Sequence, residues 1–322
     1  MNRGILSKKL REINKNYFIF YLLVIEIAVL SIAVPKGVFL SGENIMNALR
    51  QSTIVAIIAA GSFLVLLSGC IDLSVGSTVG LVGVFTAKLI VDYQLPVPAA
   101  FLGGIALALA IGAVNGLLVT RVRIPPFIVT LGTMEIVRGI TYVITNAYPV
   151  SNLPPSIEVL GRGYLWIIPI PVIIMFMIYV ITYLYADHSR MGRYVYAIGS
   201  SEEASFLSGI KVKSIRLYVY MIASFFAAIS SLILLSRLAS GQPNGGIGYE
   251  FQAITAAVLG GTSTSGGKGK ILGVLFGALF IAIMNNGMVL LAVSSYFQQI
   301  ARGLILILAV TFDVLKARRS GK

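Results

Sequence analysis

The chain has 322 residues, of which 57% are hydrophobic and 11% charged, a charged fraction too small for an ordinary water-soluble domain. Its formal charge of +13 does not indicate a nucleic-acid partner, because most Lys and Arg residues flank long apolar runs. Cys70 and His188 are the only residues of their kinds, which excludes a disulfide, a Cys/His metal cluster and a Cys/His nucleophile pair.

Apolar stretches long enough to cross a hydrocarbon core of about 30 Å predict an all-α polytopic membrane protein. Ten spans are expected, at 17–34, 50–68, 74–91, 97–119, 127–145, 166–186, 215–237, 250–262, 271–291 and 296–315. Extended strands are not expected, since backbone groups in lipid must be satisfied within their own segment. Residues 1–16 carry Arg3, Lys8, Lys9, Arg11 and Lys15 and form a cytoplasmic tail. The run that follows is too long for a signal peptide and lacks its small-residue exit, so it is read as an uncleaved first helix. Residues 17–315 make one transmembrane domain.

Between the second and third spans, 68–76 combines an acid with small polar residues in too few positions for a long loop. Asp72 there is either a polar element of a solute path or a helix cap. Gly76-x-x-x-Gly80 follows, a spacing that lets helices approach closely. In the fifth span Glu135 and Arg138, three apart, are expected to form an ion pair.

The longest cytoplasmic connection, 187–214, contains a small helix. Ser200 or Ser201 caps it, Glu202 and Glu203 suit its positive end, Ala204 to Leu207 form its body, and Gly209 terminates it in the left-handed conformation. So short an exposed helix rests either on the protein's own spans or on a cytoplasmic partner. The eighth span is short and enters a Gly/Ser-rich stretch, 260–269, which suggests a broken or tilted helix and fails the phosphate-loop pattern at Thr262 and Gly269. Gly273-x-x-x-Gly277 repeats the earlier small-residue spacing, through either duplication or ordinary membrane packing. A basic cytoplasmic tail, 316–322, closes the chain. Lys and Arg concentrate on one side, with only Lys36, Arg50 and Arg162 opposite, which places both termini in the cytoplasm.

Gly69-Cys70-Ile71-Asp72-Leu73-Ser74-Val75-Gly76-Ser77 resembles the G-G-I-D-L-S-V-G-S signature of the ribose/xylose/arabinose/galactoside class of bacterial ABC permeases, with Cys70 in place of the second Gly. Similar matches follow in order at Asn115-Gly116, at 124–132, at Gly192-Arg193-Tyr194-Val195-Tyr196-Ala197-Ile198-Gly199 with Ser208-Gly209-Ile210, at Gly248-Tyr249-Glu250-Phe251-Gln252-Ala253-Ile254, and at Asn285-Asn286-Gly287 with 293–296, the last most like ribose permeases. The resemblance implies a type II ABC importer-like permease fold in the bacterial plasma (inner) membrane. It implies a second permease copy or a sister permease, an ABC ATPase subunit and an extracytoplasmic sugar-binding protein as partners. The chain itself is then not an enzyme and binds no cofactor, ATP and Mg belonging to the ATPase.

Gly192, Arg193, Glu202, Glu203, Ala204, Leu207 and Gly209 correspond to the region that meets the ATPase. Asp72, Ser74, Gly76, Ser77, Thr78, Asn115, Gly261, Thr262, Ser263 and Asn286 are candidates for the path or its gate. A neutral sugar needs small residues, hydroxyls and amides, although the same Ser and Thr side chains also suit bonding to helix carbonyls. Another polyol-like solute or a furanone-type signal is the alternative cargo. A proton-coupled carrier is the rival mechanism, weakened by the scarcity of acids within the spans.

Overall fold

A computed structural model describes residues 18–319; the basic residues of 1–16 and Lys322 lie outside them. Seven helices among the described residues are long and apolar enough to cross a membrane. In chain order the elements are α1 (Phe18–Ala33), α2 (Gly42–Leu67), α3 (Val75–Val91), α4 (Val97–Leu117), α5 (Pro126–Thr145), α6 (Val159–Arg162), β1 (Tyr164–Leu165), β2 (Ile168–Pro169), α7 (Ile170–Tyr183), α8 (Arg190–Ser200), α9 (Glu202–Leu207), α10 (Val212–Leu238), α11 (Tyr249–Leu259), α12 (Ile271–Leu290) and α13 (Ser295–Arg319). Each of the ten expected spans corresponds to one helix, and α4 and α7 each continue into a π-turn, at Leu118–Val122 and Leu184–His188.

Several boundaries differ from expectation, each for a physical reason. α2 starts at Gly42 because Ser41 Oγ accepts the Asn44 N–H (3.3 Å), and its first turns are too polar for hydropathy to register. Arg50, expected in a loop, therefore lies inside a helix and donates to the Tyr164 hydroxyl while stacking 4.9 Å from that ring's centre. The sixth span is preceded by the two-residue strands β1 and β2, a hairpin that leaves the chain's sole tryptophan, Trp166, almost fully exposed. Residues 316–319 continue α13.

α2 and α10 form the centre and are wrapped by other helices along most of their length, whereas α13 is exposed almost throughout. Around them the helices approach through glycine. On α12, a Cβ at Gly273 would overlap the Gly260 carbonyl and one at Gly277 the Ala256 carbonyl, so α11 and α12 touch backbone to backbone. Gly273→Leu is therefore expected to destabilise the protein by about 1–3 kcal/mol. Gly303→Ala, with nothing within 4 Å of the added atom, should be neutral or slightly stabilising. Thermal unfolding of the detergent-solubilised protein compares the two.

Candidate translocation path and coupling junction

α10 ends on the side of the molecule opposite α8 and α9, and the chain then turns back inward instead of staying at the surface. Gly241 packs on Val84 and Ala87, the Gly245 carbonyl lies 2.8 Å from where a Gly80 Cβ would be, and the Gly246 carbonyl lies 2.5 Å from that of Gly76. Residues 241–246 thus run antiparallel to α3 from Val84 to Gly76, about 12 Å at a rise of about 1.5 Å per helical residue. Only then does α11 begin, as a half-helix. Non-helical backbone at such depth needs partners for its carbonyls. Arg138 supplies them: its Nη1 donates to Pro243 O and Gly245 O, both at 2.9 Å. The expected Glu135–Arg138 ion pair does not form, because these carbonyls take the guanidinium.

Two helix starts meet along this groove. At α3, Asp72 Oδ1 accepts the Ser74 N–H (2.8 Å) and the Ser74 hydroxyl (2.6 Å). At α11, Glu250 Oε1 accepts the Gly248 N–H (3.2 Å), and the Glu250 carboxyl occupies the space that a Gly76 Cβ would fill. Each positive helix end carries its own acid.

The path candidates fall into separate groups. Asn115 Nδ2 donates to Ser74 Oγ (2.8 Å) and Thr133 Oγ1 donates to Asn115 Oδ1 (2.7 Å), so Asp72, Ser74 and Asn115 form one buried brace joining α3, α4 and α5. The hydroxyls of Ser77 and Thr78, also buried, both donate to Ser74 O (2.9 Å). Thr262 and Ser263 are buried in the turn after α11, beside the exposed Gly261, whose φ is +90°. Asn286 exchanges two amide hydrogen bonds with Asn44 (2.9 and 3.0 Å), tying α12 to the start of α2.

Polar groups that are open rather than buried lie elsewhere. Glu135 on α5 and Asn244 on the inward segment are exposed, and the Tyr142 hydroxyl donates to Asn244 Oδ1 (3.0 Å). Asn244 and Tyr142 were not among the candidates; a Gly/Pro/Asn segment reads as a surface loop until its neighbours are known.

On the opposite side, the 187–214 connection holds two helices. α8 was not expected as a helix: Ser189 Oγ caps it by accepting the Gly192 N–H (2.9 Å), and Val195 and Ile198 are buried beneath it. A Cβ on Gly192 would strike the Tyr185 and Ala186 carbonyls, so this glycine lies within the fold, while Arg193 is exposed. α9 is capped by Ser201, whose Oγ accepts the Ala204 N–H (3.2 Å), and ends at Gly209 with φ +79°, as the residue types predicted. Glu202, Glu203 and Ala204 are exposed, and Phe206 and Leu207 are 70% and 77% exposed.

This tip is anchored firmly at its base. Glu202 pairs with Arg216 (2.6 Å), which also donates to Ser68 O (3.3 Å) at the end of α2. The Gly267 N–H donates to Leu67 O (2.9 Å), and the end of α8 at Gly199 fits directly against both groups. The Tyr196 hydroxyl lies within hydrogen-bonding distance of Asp187 Oδ1 (3.1 Å) and Gly269 O (3.0 Å); burial, with the Asp187 charge, raises its pKa, so it stays a donor. Thr264 donates its N–H and its hydroxyl to Asp313 Oδ2 on α13 (2.9 and 2.8 Å). The α2–α3 turn, the turn after α11 and the α8–α9 pair are therefore one mechanical unit.

Comparison with known proteins follows the same lines. The family described as "Branched-chain amino acid transport system / permease component" matches residues 44–310. The chain is 40% identical to a ribose import permease protein of Haemophilus influenzae, over 91% of each chain. It is 43% identical to one of Bacillus subtilis, over 90% of this chain and 91% of the relative. A D-allose transport system permease protein of Escherichia coli is 38% identical over 93% and 91%. No solved structure matches the chain.

Removing Arg138 strands two acceptors, each expected to cost about 1–3 kcal/mol. Arg138→Ala should lower the thermal unfolding midpoint clearly. Arg138→Lys should lower it less, since both bonds come from one nitrogen that an ammonium can partly replace.

Proposed function

The chain belongs to the branched-chain amino acid transport system / permease component family, and from that membership we propose that it is the membrane-spanning permease subunit of an ATP-driven importer for ribose or a related sugar. The names of the ribose and allose relatives support the cargo. It resides in the bacterial plasma membrane with α8, α9 and both termini in the cytoplasm, pairs with a second permease copy or a sister permease, and receives its sugar from an extracytoplasmic binding protein. Hydrolysis of ATP, with its Mg, belongs to a separate ABC ATPase.

The observation that carries this reading is the anchored, exposed tip of α9. Phe206 and Leu207 extend an apolar surface into water on a helix whose other end is tied, through Glu202, Arg216 and Ser68 O, to the turn that starts α3. A partner that grips the tip can move the α2–α3 turn and the turn after α11 together, the rigid-body action that alternating access requires. Gly209 frees the chain to leave the helix, and Arg193, Glu203 and Ala204 border the tip. Gly192 and Glu202 act by holding the two helices in place. The candidates Asp72, Ser74, Gly76, Ser77, Thr78, Asn115, Gly261, Thr262, Ser263 and Asn286 then serve the path chiefly as the braces and turns that move with it. A neutral cargo suits the groove, because Asp72 and Glu250 already occupy the helix ends that would attract an anion.

In liposomes containing the chain, its ATPase and the binding protein, sugar-loaded binding protein should stimulate ATP hydrolysis. Leu207→Asp should cut that stimulation at least about tenfold by placing a charge in the docking contact. The side chain is exposed, so thermal unfolding should not change. If no ATPase associates, or hydrolysis ignores the loaded binding protein while sugar still crosses, the importer reading gives way to a secondary carrier.

A further inference from the structure

We propose that the open face of α5 centred on Glu135, together with Asn244 of the inward segment, is a hydrogen-bonding site for the hydroxyl groups of the neutral polyol in transit; the inference rests on the importer reading. Glu135 stands midway along the twenty residues of α5, yet it is exposed. A carboxylate at that depth facing hydrocarbon is strongly disfavoured. Glu135 takes part in no ion pair: those among the described residues are Lys88–Asp92, Arg162–Glu158 and Arg216–Glu202, and Arg138, one turn away, hydrogen-bonds to the Pro243 and Gly245 carbonyls instead. Water, or a solute that replaces water, is what such a group needs.

The residues around α5 divide this face along its length. At about 100° per residue, Ile128, Leu131, Gly132, Arg138, Gly139 and Tyr142 fall within about 60° of Glu135, so exposed apolar side chains occupy its first turns and the polar groups begin at Glu135. The buried Val129, Thr130, Val137 and Thr141 lie on the far side, and the exposed Ile136, Ile140 and Val143 form their own stripe between the two. From Gly132 onward the surface of α5 is thus divided into a packed face, an apolar stripe suited to lipid and a face that carries Glu135, Arg138 and Tyr142 between glycines. Within the polar face nothing lies within 4 Å of where a Cβ would sit on Gly132 or Gly139, so open space flanks the carboxylate above and below. At one end the Tyr142–Asn244 bond joins this face to the inward segment. That bond uses Asn244 Oδ1 and leaves the amide N–H groups of this exposed residue for a ligand.

The chemistry of these groups selects the ligand. An ionised carboxylate only accepts hydrogen bonds and an amide N–H only donates, while a hydroxyl does both, so a polyol satisfies Glu135 and Asn244 together. An anionic solute is repelled by Glu135. A hydroxyl bond to a charged acceptor is stronger than one to a neutral acceptor, and a single such bond orients a sugar without trapping it.

The test uses the complete importer in liposomes. The native Cys70 is buried, so Glu135→Cys introduces the accessible thiol. A charged, membrane-impermeant methanethiosulfonate should modify it from water, and Glu135→Gln should lower the sugar delivered per ATP hydrolysed about tenfold. Three results overturn the site: modification of the cysteine only by a lipid-soluble reagent, which places the face in lipid; a disulfide between two Glu135→Cys chains accompanied by loss of the permease pair in Glu135→Gln, which makes it a contact between copies; or an unchanged sugar-to-ATP ratio in Glu135→Gln. If the wild-type importer shows no ATP-dependent uptake, the importer reading itself falls, a failure separable from that of the site because it precedes any substitution.

Discussion

Arg138 holds the rest of this structure in place because a membrane interior does not tolerate an open carbonyl. The chain between α10 and α11 travels back along α3 as non-helical turns, and its carbonyls at 243 and 245 find their donors on α5. Once that segment is secured, α11 can be a half-helix, Gly76 and Gly80 can stay free of side chains, and the acids at positions 72 and 250 can sit where two helix starts converge. A continuous helix in the same place would need none of these devices. It would also leave no polar lining near the middle of the membrane.

Backbone contacts secure both ends of the molecule. Around the inward segment, Gly241 exchanges two backbone hydrogen bonds with Val150, the Gly245 and Gly246 carbonyls lie against Gly80 and Gly76, and Arg138 adds its bonds to Pro243 O and Gly245 O. Around α8 and α9, backbone meets backbone at Leu67, Gly199 and Gly267, and side-chain bonds from Arg216, Tyr196 and Thr264 lock the turns together.

Most of the membrane helices were legible as long apolar runs, seven of them long enough to cross a membrane while α11 has eleven residues, and the α9 cap was legible because Ser201, Glu202 and Gly209 are the residue types that such an end requires. The first two turns of α2 were hidden by Glu43, Asn44, Asn47 and Arg50, which look like loop residues to any measure of hydropathy. α8 was hidden by its two glycines, Gly192 and Gly199, within eleven residues of mixed polarity, which read as a loop. The inward segment could not be read at all, since Gly-Gln-Pro-Asn-Gly-Gly describes a surface turn equally well and only Arg138, a hundred residues earlier, makes its depth affordable. The same distance concealed the real partner of that arginine, while the nearby Glu135 offered a local one.

The hairpin before α7 gives the molecule an optical property. Its tip carries the only indole in the chain, almost fully exposed and on the side opposite α8 and α9. The tryptophan fluorescence of the permease therefore originates at a single point on its surface, and any protein that settles over that surface will change the polarity around the emitting group without a label having been added.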